Sequence, residues 1–178
     1  LSLRIFLFAG SLVMLVGVIQ IFDHNFMINQ GSDRVSSTLG NAIYVGGYGL
    51  FLFFAALLLF VKEKNISWKY IYVVLGLLAI TGLIYSGTRG SVLGLMAGVG
   101  ILIVEYAVLL KESPKIRRVI FGLIVLGVLS FAVLFINRQS GWVGSIPAVG
   151  RLFTTSLSSA NTRFFAWQSA IDGWQERP

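Results

Sequence analysis

The 178 residues contain no cysteine, and histidine occurs once, at position 24. The first absence excludes a disulfide framework and any thiolate metal site. The second leaves metal binding poorly supplied. Charge is also scarce, at 12% of residues, where a soluble domain carries about a quarter. Acidic residues are scarcest of all, 7 against 14 basic ones. A chain so poor in charge and 56% apolar cannot present a polar surface to water on every side, so the solvent it fits is lipid. The net charge of +7 raises nucleic acid as a partner. That reading falls away if the basic residues sit in short loops beside apolar spans, where orientation in a membrane explains them.

Crossing roughly 30 Å of hydrocarbon takes about 20 apolar residues as a helix. Five segments qualify, near residues 3–22, 43–61, 70–85, 91–110 and 119–136. The expected fold is therefore all-α and polytopic, with about five spans over residues 1–136. The third span is short, but Trp68, Tyr70 and Tyr72 give it an interfacial aromatic edge. The first is too long for a signal peptide, and no small-x-small cleavage site follows Phe22.

Arg4, Lys62, Lys64, Lys69, Lys111, Lys115, Arg117 and Arg118 all fall on one side of this alternation. The opposite short loops hold only Arg34 and Arg89. By the positive-inside rule the richly basic side is cytoplasmic. Residues 23–41, the turn 86–90 and the tail after Asn137 then face outward. In that tail, residues 137–178 read as the start of a large outer loop. "NTRFFAWQSAIDGW" predicts an amphipathic helix near 162–175, capped by Asn161 or Thr162. Phe164, Trp167, Ile171 and Trp174 recur on one face, suited to a membrane surface or to the bundle. Beginning at Leu1 and stopping at Pro178, the chain is expected to be an excerpt of a longer protein.

An arginine on the outer side needs a reason, because the positive-inside rule disfavours it. One reason is bland: arginines at span ends snorkel to the headgroups. The setting of Arg89 offers another. In "SGTRGS", Gly87 and Gly90 permit a tight turn that runs straight into the start of a span. The first backbone N–H groups of that helix lack intrahelical partners. With the helix dipole and a guanidinium fork they make an anion site, supported by Gly87, Thr88, Gly90 and Ser91. Arginine suits phosphate better than lysine because its planar donors take two oxygens at once. Arg34 and Arg163 are the further candidates, and three such groups match a doubly charged phosphate ligand. Gly90, Gly94 and Gly98 form a ladder of small residues that invites another helix close. Glu105 lies on the Gly98 face and is expected to point inward, protonated or paired with a basic residue.

These stretches carry a resemblance. "YSGTRGSVLGLMAGVGILI" resembles the Ser/Thr-Gly-x-Arg-Gly turn and following span of the bacterial O-antigen ligase and O-antigen polymerase family. "RVSSTLGNAIYVGGYGLFL" is similar to that family's Arg, Gly-Asn-Pro-Asn and span element, with Gly40-Asn41-Ala42-Ile43 lacking the proline. "NTRFFAWQSAIDGWQERP" is similar to its Arg-x-x-x-Trp-x-x-Ala segment. The ordered trio covers most of the chain.

The resemblance implies a multi-pass enzyme of the bacterial cytoplasmic membrane with its active face outside the cytoplasm. Such an enzyme moves a glycan from an undecaprenyl-diphosphate carrier to an acceptor: a glycan, a lipid or a protein. It implies no cofactor, no metal and no nucleic-acid partner. Arg89 and Arg163 then bind the carrier's diphosphate, with Arg34 a weaker third. The family's catalytic histidine lies beyond the Arg-Trp segment, so the catalytic residues are expected past Pro178. That role is not carried over to His24, which reads as an ordinary loop imidazole. The alternative within the same family is a transporter or uptake-associated membrane protein, for example for inorganic carbon.

Overall fold

The computed structural model describes residues 1–23, 26, 34–109, 122, 125, 127, 129–153 and 157–176. Among them every regular element is helical. Four long helices come first: α1 (Ser2–Phe22), α2 (Ala42–Lys62), α3 (Ile66–Tyr85) and α4 (Arg89–Leu109). A single 3-10 turn, Ser37–Leu39, precedes α2. Residues 129–136 are helical, and most of the expected fifth span lies outside the described residues. A short helix α5 (Gly141–Gly144), then α6 (Pro147–Phe153) and α7 (Leu157–Glu176), complete the chain.

Among the described residues three helices are long and apolar enough to cross a membrane: α1, α2 and α3. They carry no polar stripe. Ile5, Leu12, Phe51, Leu58, Val74 and Leu77 face outward and are as apolar as the residues turned inward. A helix that is hydrophobic all round belongs in a lipid solvent. Lipid tails are as apolar as leucine, so what joins such helices is close packing. Leu7, Met14, Val45, Leu52, Ala56, Tyr72 and Ala79 form one buried cluster between α1, α2 and α3. Glycine sets the approach: a Cβ on Gly49 would stand 2.9 Å from the Ala79 carbonyl oxygen on α3.

The ends of these helices meet in an up-down-up order. At one end the Arg4 guanidinium on α1 pairs with Glu63, just past α2, at 2.6 Å. It also stands 5.4 Å over the Trp68 ring at the start of α3. Glu63 accepts from the N–H groups of Asn65 and Lys64. The Asn65 bond, then the Lys64 bond and the Arg4 charge, hold its carboxyl below the usual range against a smaller effect of burial. The buried Tyr72 hydroxyl favours the same charge without reaching hydrogen-bond geometry.

At the other end, a buried side chain in α1 fixes the loop before α2. Gln20 is 1% exposed, and its Oε1 accepts from Ser36 N at 3.1 Å and Ser37 N at 2.8 Å. Ser37 sits at φ 48, left-handed backbone that costs a non-glycine residue about 1–2 kcal/mol. The Gln20 bonds and the Ser37 hydroxyl, which donates to the Val13 carbonyl, offset that cost. Replacing Gln20 by leucine leaves two buried N–H groups without their acceptor, at about 1–3 kcal/mol each. Gln20→Leu is therefore expected to lower the thermal midpoint and to speed hydrogen exchange at amides 36 and 37. Unchanged protection at those amides would refute this account of the loop.

The element Gly40-Asn41 now has a physical explanation. Gly40 takes φ 69, and the Asn41 side chain caps α2 by accepting from Ile43 N at 2.9 Å. The turn therefore forms without the proline, because glycine supplies the backbone angle and asparagine satisfies the first helical turn. Asn65 caps α3 in the same way through Ser67 N.

Three expectations are corrected. The small-residue ladder of α4 is only partly used. A Cβ on Gly94 would meet Leu50 at 3.1 Å and one on Gly98 would run into the Phe54 ring, so both rungs seat on α2. Gly90 faces open space. Glu105 is exposed rather than turned into the bundle. The helix at the end starts earlier than expected, at Leu157, so Asn161 and Thr162 lie inside it rather than at its cap.

Candidate functional site

The turn between α3 and α4 is built from hydroxyls and one glycine. Ser86 ends α3, fully buried, its Oγ within reach of Leu83 O at 2.7 Å and Thr88 Oγ1 at 3.0 Å. Thr88 N donates to Ser86 Oγ at 3.3 Å. Gly87 between them has φ 62, a left-handed conformation in which glycine pays no Cβ penalty. Thr88 O accepts from Val92 N, the first bond of α4. Thr88 Oγ1 donates to Ala42 O at 3.1 Å, tying the turn to the start of α2. The fit is close: a Cβ on Gly46 would stand 2.7 Å from Ser86 Oγ and Thr88 Cβ, and 2.8 Å from Ser91 Oγ.

Arg34 reaches this turn from the loop before α2. Its Nε donates to Ser86 O at 2.7 Å and its Nη2 to Thr88 Oγ1 at 3.1 Å. The neighbouring Val35 N donates to Tyr85 O at 3.2 Å. Arg34 thus grips the turn's own oxygens with two of its donors.

The structure brings a further arginine here that sequence reasoning did not single out. Arg151 lies on α6, which packs against α3 and α4. Measured from a Cβ built on Gly87, Arg34 Nε is 3.3 Å away and Arg151 Nη1 3.5 Å. Burial lowers the pKa of Arg34, and the charges of Arg151 and then Arg89 lower it further. Arg34, Arg89 and Arg151 therefore share one electrostatic neighbourhood. Arg89 is half-buried and opens α4, followed by the exposed Gly90 and the buried Ser91.

Arg163 lies within α7, and its side chain is outside the described residues. His24 is outside them as well. The aromatic stripe of α7 is exposed, with Phe164 at 66%, Trp167 at 63% and Trp174 at 68%. A signal for Arg151 was present: it is one more arginine on the side that the positive-inside rule leaves poor in them. Arg138 shares that signal but stacks 4.4 Å over the Phe135 ring of the preceding helical stretch.

A family model described as O-antigen ligase matches residues 74–178. The chain belongs to the O-antigen ligase family. The matched stretch begins inside α3 and takes in the Ser86–Ser91 turn, α4 and helices α5 to α7, hence Arg89, Arg151 and Arg163. Arg34 stands outside it and enters the site through tertiary contact. No curated protein and no solved structure matches the chain. Membership, with the apolar helices, makes this a membrane protein of a family whose substrates are lipid-linked glycans and their acceptors.

Proposed function

We propose that this O-antigen ligase family protein is a glycosyltransferase. It moves a glycan from an undecaprenyl-diphosphate carrier to a glycan, lipid or protein acceptor on the outer face of the bacterial cytoplasmic membrane. The supporting observation is the gathering of Arg34, Arg89 and Arg151 around the Gly87 turn at the start of α4. Like charges repel, and such a cluster is favoured where an anion completes it. The excess of basic residues at the Arg4 end supports a cytoplasmic location for that end and an outer one for this turn.

In the reaction, the bond between the sugar's anomeric carbon and the diphosphate oxygen breaks, and its electron pair stays on the diphosphate. The acceptor hydroxyl oxygen bonds to that carbon, and its proton passes to a general base. Charge grows on the leaving diphosphate as the bond stretches. Fixed cations therefore stabilise the transition state more than the ground state. Arg89 carries this role beside the amides of residues 89–91, which have no acceptor within their own helix. Arg163 is a second diphosphate contact, and Gly87, Thr88, Gly90 and Ser91 shape the turn.

The test uses the full-length protein in vesicles, supplied with a glycan on undecaprenyl diphosphate and a set of acceptors. Transfer to one acceptor class, with release of the diphosphate carrier, is the expected result. Bicarbonate or other solute flux across the same vesicles without any transfer would replace this reading with transport.

A further inference from the structure

We infer that Arg151 on α6 is a diphosphate-binding residue of this site, while Arg34 is a positioning residue for the turn. The inference rests on the reading of the site as one for a diphosphate, and it divides the labour within the cluster.

Arg34 spends Nε and Nη2 on Ser86 O and Thr88 Oγ1. Those bonds fix the plane of its guanidinium against the turn backbone. What it holds is the geometry that starts α4, since Thr88 also accepts the first helical bond and ties to Ala42 O.

Arg151 arrives by a different route. Both of its chain neighbours are packed so as to aim it. Gly150 is buried, and a Cβ there would stand 2.7 Å from Gly144 O and 2.9 Å from Val143 O, so only glycine lets α6 fold onto the preceding turn. Its N–H donates to Ile146 O at 2.8 Å. Leu152 packs on the buried pair Leu83 and Val92, one from α3 and one from α4. With residue 150 turned onto α5 and residue 152 onto the bundle, Arg151 is delivered over Gly87, its Cδ and Nη1 3.6 and 3.5 Å from the position of an added Cβ. A Cβ at residue 87 would press on Arg34 Nε and lie in contact with Arg151. Glycine there serves two ends: it permits φ 62, and it lets two guanidinium side chains approach one backbone.

A single guanidinium fork matches one phosphate group, and a second cation from another helix lets the site count two. Arg89 and Arg151 come from separate helices, α4 and α6, and the charge of each is felt at Arg34. The pair therefore selects a diphosphate over a monophosphate.

The test measures binding of farnesyl diphosphate, farnesyl monophosphate and farnesol to the purified full-length protein. Wild type is expected to prefer the diphosphate. Arg151→Ala should weaken diphosphate binding about 10–100-fold, the loss of one charge-assisted contact, and monophosphate binding less than about threefold. Arg151→Lys keeps the charge without the fork and should fall between, and it decides the matter if the alanine variant does not fold. Arg138→Ala should bind as wild type. An Arg151→Ala protein that keeps the wild-type ratio, while Arg89→Ala loses it, would overturn the role of Arg151 and leave the proposed function standing. A wild-type protein that treats farnesyl diphosphate like farnesol would overturn both.

Discussion

Exchanging Arg89 for lysine in the full-length protein is expected to cut glycan transfer about 10²–10³-fold, with membrane insertion and abundance unchanged. The magnitude is that of removing one preorganised donor from a site of developing negative charge. Lysine keeps the charge but replaces a planar fork by a point charge, so it cannot take two phosphate oxygens in fixed directions. The loss should appear in kcat as well as in kcat/KM, because the contact tightens as the leaving group gains charge. Arg89 is half-buried and lysine keeps its length and charge, so insertion of the protein should not depend on the fork. Full transfer activity in a normally inserted Arg89→Lys protein would remove the diphosphate role from this turn.

The second large effect is structural and reaches the same turn from α2. Valine at position 46 would place its Cβ within 2.8 Å of Ser86 Oγ, Thr88 Cβ and Ser91 Oγ at once. Ser86 Oγ is tied to Leu83 O, and Thr88 to Ala42 O and Arg34, so both have little room to give. Overpacking of this kind costs about 1–3 kcal/mol. Gly46→Val is expected to lower the thermal midpoint and abolish transfer together. The neighbouring Gly47 faces open space, so Gly47→Val should do neither. If the two variants behaved alike, the packing of α2 on the turn would not be what holds the site.

Much of this was legible in advance. The helical class follows from the long apolar runs, because a backbone in lipid must satisfy its own hydrogen bonds. The Ser86–Ser91 turn was visible as small residues between two such runs, whereas the Asn41 cap of α2 emerged only with the fold. The count of spans is a different matter: three helices long and apolar enough to cross a membrane stand among the described residues. Burial was harder to read. Glu105 shares a helical face with Gly98, yet it is exposed where Gly98 meets Phe54. Sequence spacing identifies a face, and the neighbouring helix decides how far along that face contact extends.

The division of roles among the arginines illustrates the same limit. Arg34 looks in sequence like another outer cation, and only the fold shows its donors turned onto Ser86 and Thr88. Arg151 sits in "AVGRLF" without a motif to mark it, beside a glycine whose necessity comes from carbonyls of the preceding helical turn.

From the chain of letters alone came the lipid solvent, the helices and the place of the α3–α4 turn, since each depends on local composition and period. Which cations meet at that turn was settled only by folding. The loop locked by Gln20 and the short helix seated by Gly150 and Leu152 bring together residues far apart along the chain, and no periodicity encodes the side-chain packing that does so.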